Sequence, residues 1–233
     1  MTATLEKPIP ETPSELSHSK NSGKFAFNVN DRVIHSADPV LTGREILSKG
    51  GFEKVDSYAL IKFEHPGTSS VGLEDRVDLR EPGVEKFRAF ESDRVFRFTL
   101  NQRGYEWGAA TISGAELRDA GAVSDDEAIL LDREHQADEV IQNNDEVNLG
   151  QKGGERLRTR PRLVTVLYNH QPFKLEAGNY STEQLKAVFH VPPGYVLDEI
   201  KHDGEFQELK PHETVHVKEG LEFISHAPCG QSS

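Results

Sequence analysis

Two groups of side chains in this sequence have the chemical character of a reactive or binding site. The first lies in the final stretch "FISHAPCGQSS", where His226 stands three residues before Cys229, the only cysteine of the 233-residue chain. An imidazole can lower the pKa of a neighbouring thiol and so activate it as a nucleophile. A catalytic nucleophile also needs a rigid support, which a short tail containing Pro228 does not provide. We therefore predict that the protein is not an enzyme.

The second group is a run of carboxylates in the middle of the chain. Residues 124–155 contain ten Asp and Glu residues but only two basic residues, Arg133 and Lys152. Such a run is most often a solvated face, although clustered carboxylates are also the hard oxygen ligands that calcium takes. Three histidines, His202, His212 and His216, are predicted to be surface or strand positions rather than a zinc site.

Composition and charge limit the classes of partner and the compartment. The formal net charge is −12, which disfavours nucleic acid and anionic membranes because phosphate binding needs clustered Lys and Arg. We expect cations or basic protein surfaces instead. No apolar run approaches the roughly 20 residues of a membrane-spanning helix, and the first residues lack the apolar core of a signal peptide. With a single cysteine, these features predict a cytoplasmic protein without internal disulfides.

The elements that would position these groups recur along the chain. Stretches of alternating apolar and polar residues with a polar turn predict three β-hairpins. The turn residues Asn30, Asn101 and Asn169 are separated by 71 and 68 residues, which indicates an internal repeat. The predicted hairpins are "FAFNVNDRVI" (Phe25–Ile34), "VFRFTLNQRGYEW" (Val95–Trp107) and "LVTVLYNHQPFKL" (Leu163–Leu175).

A helix start follows each hairpin at the same offsets. Each start has a Ser or Thr with Glu or Gln three residues later, the capping box in which the two residues satisfy each other's backbone amides. The matching leucine and isoleucine positions, Ile46, Leu117 and Leu185, are also 71 and 68 residues apart. The three boxes are Thr42 with Glu45, Ser113 with Glu116, and Ser181 with Gln184.

A strand, a short connection and a last strand complete each repeat. A short helix with one apolar stripe needs a sheet to lie on, so the order predicts an α+β fold with a four- or five-stranded mixed sheet, the β-grasp fold. We expect the first and last strands to pair in parallel at its centre. The predicted strands are Ser57–Phe63 and Gly83–Phe90, then Ala128–Glu134 and Gly154–Arg160, then Tyr195–Lys201 and Gly220–His226. The segments between them that recur at the same spacing are Asp75–Leu79, Asp145–Leu149 and Glu213–Val217.

The repeats divide the chain into three domains between two tails. Residues 1–23 are poor in large apolar side chains and are predicted to be a disordered tail. The domains are expected at 24–92, 93–160 and 161–226, followed by a flexible tail at 227–233. Short linkers, Glu91–Arg94 and Thr159–Arg162, favour packing between neighbours. Aromatic residues at alternating hairpin positions are predicted to form sheet core or interdomain contacts: Phe25, Phe27, Phe96, Phe98, Trp107 and Phe173.

Several of these segments resemble one known family. "LTGREIL", "DRVDLREPGVEKF" and "EFISH" are similar to the multiubiquitin domain of bacterial ubiquitin-like proteins, and the resemblance extends over about 24–226. The second repeat departs from the pattern with "VNLGQKGGERL", and the third departs with "STEQL". Genes of this family lie beside those for homologues of ubiquitin-activating and conjugating enzymes and of a JAB-type peptidase.

The resemblance implies a ubiquitin-like protein modifier. In such a pathway the JAB-type peptidase trims the tail to a glycine, the activating enzyme adenylates the new carboxylate, and the conjugating enzyme receives it as a thioester. Gly230 is the position that can serve, since a residue without Cβ fits a narrow adenylation channel. Ubiquitin-like tails commonly end in paired glycines, whereas Cys229 precedes Gly230 in this chain.

The resemblance also implies self-assembly, because three-domain members of this group are similar to proteins that form homodimers and helical filaments through calcium. The expected ligands are carboxylates from the acidic run and from "LDEIKHDGE": Asp132, Glu134, Asp138, Glu139, Asp145, Glu146, Asp203 and Glu205. Two alternatives to the modifier stay open. One is a primarily structural, calcium-dependent filament or dimer, and the other is a sulfur carrier, which tandem repetition argues against.

Overall fold

A computed structural model of the chain describes residues 24–133, 136–150 and 154–228. Its strands and helices fall into three successive units. Unit 1 contains β1 (Phe25–Val29), β2 (Arg32–Ser36), β3 (Val40–Thr42), α1 (Gly43–Lys49), a 3-10 turn (Val55–Ser57), β4 (Tyr58–Phe63), β5 (Thr68–Val71), β6 (Arg76–Asp78) and β7 (Glu85–Glu91).

Units 2 and 3 repeat this order of elements without the 3-10 turn. Unit 2 contains β8 (Phe96–Leu100), β9 (Arg103–Trp107), β10 (Thr111–Ser113), α2 (Gly114–Gly121), β11 (Glu127–Leu131), β12 (Glu139–Ile141), β13 (Glu146–Asn148) and β14 (Glu155–Pro161). Unit 3 contains β15 (Leu163–Tyr168), β16 (Gln171–Glu176), β17 (Gly178–Ser181), α3 (Thr182–Val188), β18 (Val196–Ile200), β19 (Phe206–Glu208), β20 (Thr214–Val217) and β21 (Glu222–His226).

Each unit is a five-stranded mixed sheet with one helix. The strand orders are β2-β1-β7-β4-β5, β9-β8-β14-β11-β12 and β16-β15-β21-β18-β19, and in each the first and last strands of the unit are parallel neighbours. Two-stranded pairs, β3-β6, β10-β13 and β17-β20, lie beside the sheets. This is the predicted α+β fold of three tandem β-grasp units.

Two details of the sequence prediction are wrong. It omitted the short strand before each helix and the strand at one edge of each sheet, because segments of three or four residues are too short to show a period of two. It also assigned Thr159–Arg162 to a linker. In the structure Thr159, Arg160 and Pro161 belong to β14, and only Arg162 separates units 2 and 3.

The repeated asparagines explain how each hairpin is tied to its sheet. Asn30, Asn101 and Asn169 all have positive φ, as does the residue that follows each one, and this is the twist that two-residue hairpin turns require. The side-chain oxygen of each asparagine accepts a hydrogen bond from the last strand of its unit, from the backbone N–H of Ala89, Thr159 and Ser225 at 2.9, 2.9 and 3.0 Å. The turn therefore extends the parallel pairing between the first and last strands.

The predicted helix starts are confirmed. Thr42, Ser113 and Ser181 are the N-caps, and all three capping boxes are present with both of their reciprocal hydrogen bonds. Each helix lies on one face of its sheet, which we call the inner face, and buries a leucine or isoleucine there: Ile46, Leu117 and Leu185, all 0% exposed. The predicted core aromatics Phe27, Phe98 and Trp107 are also buried.

Candidate functional site

The root of the C-terminal tail is the end of β21, a strand enclosed between β15 and β18. His226, its last residue, uses both ring nitrogens: Nε2 lies 3.0 Å from Asp198 Oδ2, and Nδ1 lies 2.8 Å from the carbonyl oxygen of Ala227. The Ala227 carbonyl and then Asp198 raise the pKa of His226 above its ordinary value. The imidazolium form therefore holds the first tail residue close to the sheet.

This arrangement bears on the two predictions made for the tail. Because both nitrogens of His226 are engaged, the ring is not placed to act as a general base. Ala227 and Pro228 are exposed, so the chain leaves the fold toward solvent. Gly230, the predicted processing residue, and Cys229 lie outside the described residues. From the sequence, Asp198 was a candidate calcium ligand in "LDEIKHDGE", and nothing there indicated its contact with His226.

The predicted calcium ligands of unit 2 are held by other groups. Asp138 pairs with Arg158, and Glu139 pairs with Arg133 at 2.7 Å. Asp145 Oδ2 accepts a hydrogen bond of 2.7 Å from the backbone N–H of Gln142, which is a turn interaction. The two others that the structure describes are exposed, on or beside different strands: Asp132 and Glu146.

The candidate site in unit 3 is likewise a turn. Asp203 Oδ1 accepts a hydrogen bond of 3.1 Å from the backbone N–H of Glu205, whose own side chain is exposed. In the described part of the chain, no three Asp, Glu, His or Cys side chains come together as a metal site. Glu134, another predicted ligand, lies outside the described residues. Calcium shared between chains stays a prediction.

The outer face of unit 1, the side of its sheet away from α1, is covered by unit 2. Ile61 and Phe63 of β4 join the buried core of unit 2, and Trp107, which is 0% exposed, lies between the two units. The Trp107 ring is 4.8 Å from that of Phe90 and 6.1 Å from that of Phe63. The predicted packing between neighbouring domains is therefore confirmed for this pair.

Polar contacts surround these aromatic rings. Arg88 Nη2 lies 2.7 Å from Glu116 Oε1 of α2, and Lys86 pairs with Asp119 of the same helix. At the edge of the sheets, the backbone N–H and hydroxyl of Ser70 donate to Glu106 Oε2 at 2.9 and 2.6 Å, which lowers the pKa of Glu106. A basic outer face of unit 1 thus meets an acidic helix of unit 2.

The outer face of unit 2 is also basic. Arg156, Arg158 and Arg160 alternate along β14 and are exposed, and we call these three residues the basic strip. Leu130 of β11 is opposite Arg158 and is 2% exposed. The alternation was visible in the sequence as "RLRTR", although it carried no indication of a partner.

The outer face of unit 3 has the opposite character. Its carboxylates are Asp198, Glu208 and Glu222, and we call the surface that they form with Phe206, Ile200 and Ile224 the acidic face. Phe206 is 62% exposed. Asp198 is 6% exposed, and its Oδ1 has no hydrogen-bond partner among the described residues.

A groove of about 740 Å³ opens where the β4-β5 turn of unit 1 meets the sheet of unit 2. Glu64, Arg97, Glu106 and Arg156 contribute charges of both signs to it. Tyr105 lines its floor, and burial raises the pKa of that phenol. These groups form a mixed polar junction rather than a catalytic arrangement.

Comparison with known proteins identifies the repeated unit. The family model described as Multiubiquitin matches residues 25–92 and again 96–162, which correspond to units 1 and 2. Searches of curated proteins and of solved structures found no match. In the described part of the chain, no helix is long and apolar enough to cross a membrane. Since the two copies of the model span more than half of the sequence, the chain belongs to the multiubiquitin family.

Proposed function

We propose that this protein is a ubiquitin-like modifier of a bacterial conjugation pathway, processed to Gly230 and activated at the carboxylate so formed. Two observations support the proposal. The chain carries tandem multiubiquitin units, and the last strand of unit 3 ends at His226, four residues before Gly230. A tail that leaves an enclosed strand can reach into an enzyme while the folded units stay outside it.

The chemistry asked of the chain is limited to its tail. A JAB-type peptidase would hydrolyse the bond between Gly230 and Gln231. On an activating enzyme, the Gly230 carboxylate would then attack the α-phosphate of ATP and displace pyrophosphate, and a cysteine thiolate of the conjugating enzyme would displace AMP from the acyl-adenylate to form a thioester. Glycine suits each step because no Cβ hinders approach to its carbonyl carbon. The folded units supply recognition surfaces, and none of their residues takes part in bond making.

Intact mass spectrometry tests the processing step. The full-length protein is incubated with a JAB-type peptidase from a multiubiquitin operon, and the mass is expected to fall by that of Gln231–Ser233. Gly230→Val should block cleavage because a branched side chain hinders access to the carbonyl. Cys229→Ser is the matched control and should be cleaved like the natural chain. Full mass after incubation with a peptidase that cleaves a reference ubiquitin-like substrate would contradict the proposal.

Self-assembly is the second function that the structure favours. The outer sheet face of unit 1 is covered by unit 2, whereas units 2 and 3 expose outer faces of opposite charge. Complementary surfaces on one chain favour association between chains. This proposal does not depend on calcium, for which the described carboxylates are not arranged.

A further inference from the structure

The outer faces of the three sheets are equivalent surfaces, but they differ in what packs against them. In unit 1, Lys86 and Arg88 border an apolar centre that packs against α2, an element carrying Glu116 and Asp119. The molecule itself therefore shows what a basic outer face binds, namely an acidic, partly apolar surface. The basic strip of unit 2 lies on the equivalent face and is also basic, although it lacks the apolar centre of unit 1.

The basic strip carries more charge than its own unit neutralises. Of its three arginines, Arg158 pairs with Asp138. In the part of the chain that the structure describes, Asp132 is a second carboxylate at this end of β11, and Arg97, farther across the sheet, pairs with Glu106 at 2.9 Å. Apolar surface lies beside the strip at Val140, which is 40% exposed and opposite Leu130. An acidic partner with exposed apolar groups would complement this surface.

The acidic face of unit 3 has those properties. Glu208 lies opposite Asp198 on neighbouring strands, and Glu222 lies opposite Ile200. Phe206 and Leu163 of the same side of the sheet are 62% and 58% exposed. The basic groups at its border are Lys174, His226 and His170, the last of which pairs with Glu222. Carboxylates and exposed apolar side chains thus occur together, as they do on the surface that covers unit 1.

The two faces of one chain point to opposite sides of a shared strand. Arg162 alone separates β14 from β15, and it continues both ladders: its N–H donates to the Asp126 carbonyl at 2.6 Å, and its carbonyl accepts from Ala177 at 2.8 Å. Side chains alternate along such a strand. The basic strip occupies even positions, whereas Leu163, Thr165 and Leu167 on the outer face of unit 3 occupy odd positions. The faces therefore cannot meet within the chain.

We propose that the basic strip of one chain binds the acidic face of a second copy. This inference deepens the proposed self-assembly and is independent of processing at Gly230. The contact joins two different surfaces, so each bound chain still presents one free surface of each kind, and assembly proceeds beyond a dimer. The arginine stems and the exposed Val140 would pack against Phe206 and Ile224, while guanidinium groups pair with Glu208 and Glu222.

Charge-swapped variants of the full-length chain test the contact. One variant is Arg156→Glu with Arg160→Glu, and the other is Glu208→Arg with Glu222→Arg. Sedimentation velocity from about 5 µM to about 500 µM should show the natural chain growing in mass and each variant associating more weakly by on the order of tenfold or more. An equimolar mixture should regain association, because the reversed faces of the two variants complement each other.

Three controls make the result decisive. Arg76→Glu with Glu53→Arg, two exposed changes in unit 1, should leave association unchanged. Circular dichroism should show that all variants keep the natural fold, and a chelator should not alter the natural chain's mass. The contact would be overturned if the natural chain stays monomeric, if the charge-swapped variants associate like the natural chain, or if their mixture fails to reassociate. Loss of assembly on chelation would overturn charge pairing as its cause. Peptidase trimming at Gly230, measured on the same variants, separates this result from the modifier proposal.

Discussion

Two junctions join the three units, and they are built differently. Between units 1 and 2, residues 92–95 connect the strands, and the outer face of one sheet is buried against Trp107 and α2. Between units 2 and 3, Arg162 connects the strands, and the cross-junction side-chain pair that we find in the described residues is His216 with Asp126 at 3.3 Å. The first junction is a shared core, and the second is a shared strand.

The difference shows how one fold can be assembled rigidly or loosely. All three units have the same strand order, so the fold does not decide which neighbours pack. The residues on the outer face decide it, with Ile61, Phe63 and Phe90 in unit 1 and arginines in unit 2. A large apolar interface resists relative motion, whereas a small polar one permits it. We infer that units 1 and 2 unfold together and that unit 3 unfolds separately.

Of the substitutions considered, Trp107→Ala should destabilise the junction between units 1 and 2 most strongly. The indole packs on Phe63 and Phe90 of unit 1 and lies in the core of unit 2, so its removal opens a cavity shared by both units. We expect a loss of about 3–5 kcal/mol in the free energy of unfolding of the unit 1 and 2 module. Hydrogen exchange should rise in both units and stay unchanged in β15–β21.

Trp107 also provides the readout in the natural chain, because it is the only tryptophan. Its fluorescence during denaturation follows the module of units 1 and 2, while circular dichroism follows all three units. The two transitions should differ if unit 3 unfolds separately. Coincident transitions, or faster exchange in unit 3 after Trp107→Ala, would contradict the division into a rigid pair and a separate unit.

Gly114→Ala should have the next largest effect. A Cβ at Gly114 would meet the backbone carbonyl oxygen of Gln142 at 2.0 Å, and a backbone atom cannot swing aside. We expect this clash to lower the free energy of unfolding by about 1–3 kcal/mol. Alanine's better helix propensity would offset at most roughly 1 kcal/mol of that loss. The matched control is Gly104→Ala, where a Cβ would meet no atom within 4 Å.

The corresponding residue of unit 3 is Thr182, whose hydroxyl donates to the carbonyl of Lys210 at 2.7 Å. Helix α3 therefore tolerates a side chain where α2 needs a glycine. Thermal unfolding measures the effect of both glycine variants. Equal melting temperatures for Gly114→Ala and Gly104→Ala would show that the turn carrying Gln142 yields easily.

Arg88→Ala compared with His216→Ala tests the polar part of each junction. Arg88 pairs with Glu116 and lies over the Trp107 ring at 5.5 Å, so its loss should cost about 1 kcal/mol. His216 lies 3.3 Å from Asp126 across the junction and 3.0 Å from Asn179 within unit 3, at a half-exposed position, and its loss should cost well under about 0.5 kcal/mol. Denaturant unfolding at low and high salt checks both, with salt weakening only the Arg88 contribution measurably. Equal losses would contradict the distinction between the junctions.

Much of the fold was predictable because its signals are local. The capping boxes need residues only three apart, and the hairpin turns are indicated by Asn30, Asn101 and Asn169. Three copies in register made each signal stronger than it would be alone. The parallel pairing of first and last strands then followed from the need to cover one helix with one sheet.

The contacts of the candidate site residues were not predictable, because they join distant residues. Asp198 and His226 are 28 positions apart, and no periodicity relates them. Asp138 and Glu139 looked like ligands in the sequence, yet Arg158 and Arg133 neutralise them in the fold. An acidic run is therefore a poor guide to a metal site until its basic neighbours are known.

Unit 3 also differs from the others in that its last strand ends at a histidine, His226, which predicts a small pH effect at the tail root. The carbonyl of Ala227 and the carboxylates of Asp198 and Glu208 raise the pKa of His226 above its ordinary 6.5. The stabilisation is therefore complete below about pH 6.5 and is lost as the pH rises through the raised pKa. The protection of residues 225–227 from hydrogen exchange, relative to the intrinsic rate at each pH, should fall over that range, while that of the ends of β7 and β14 stays constant. Asp198→Asn should lower the pKa of His226 measured by NMR titration. A pKa of His226 at or below 6.5 in the natural chain would contradict the stabilising contacts of its ring with Asp198 and Ala227.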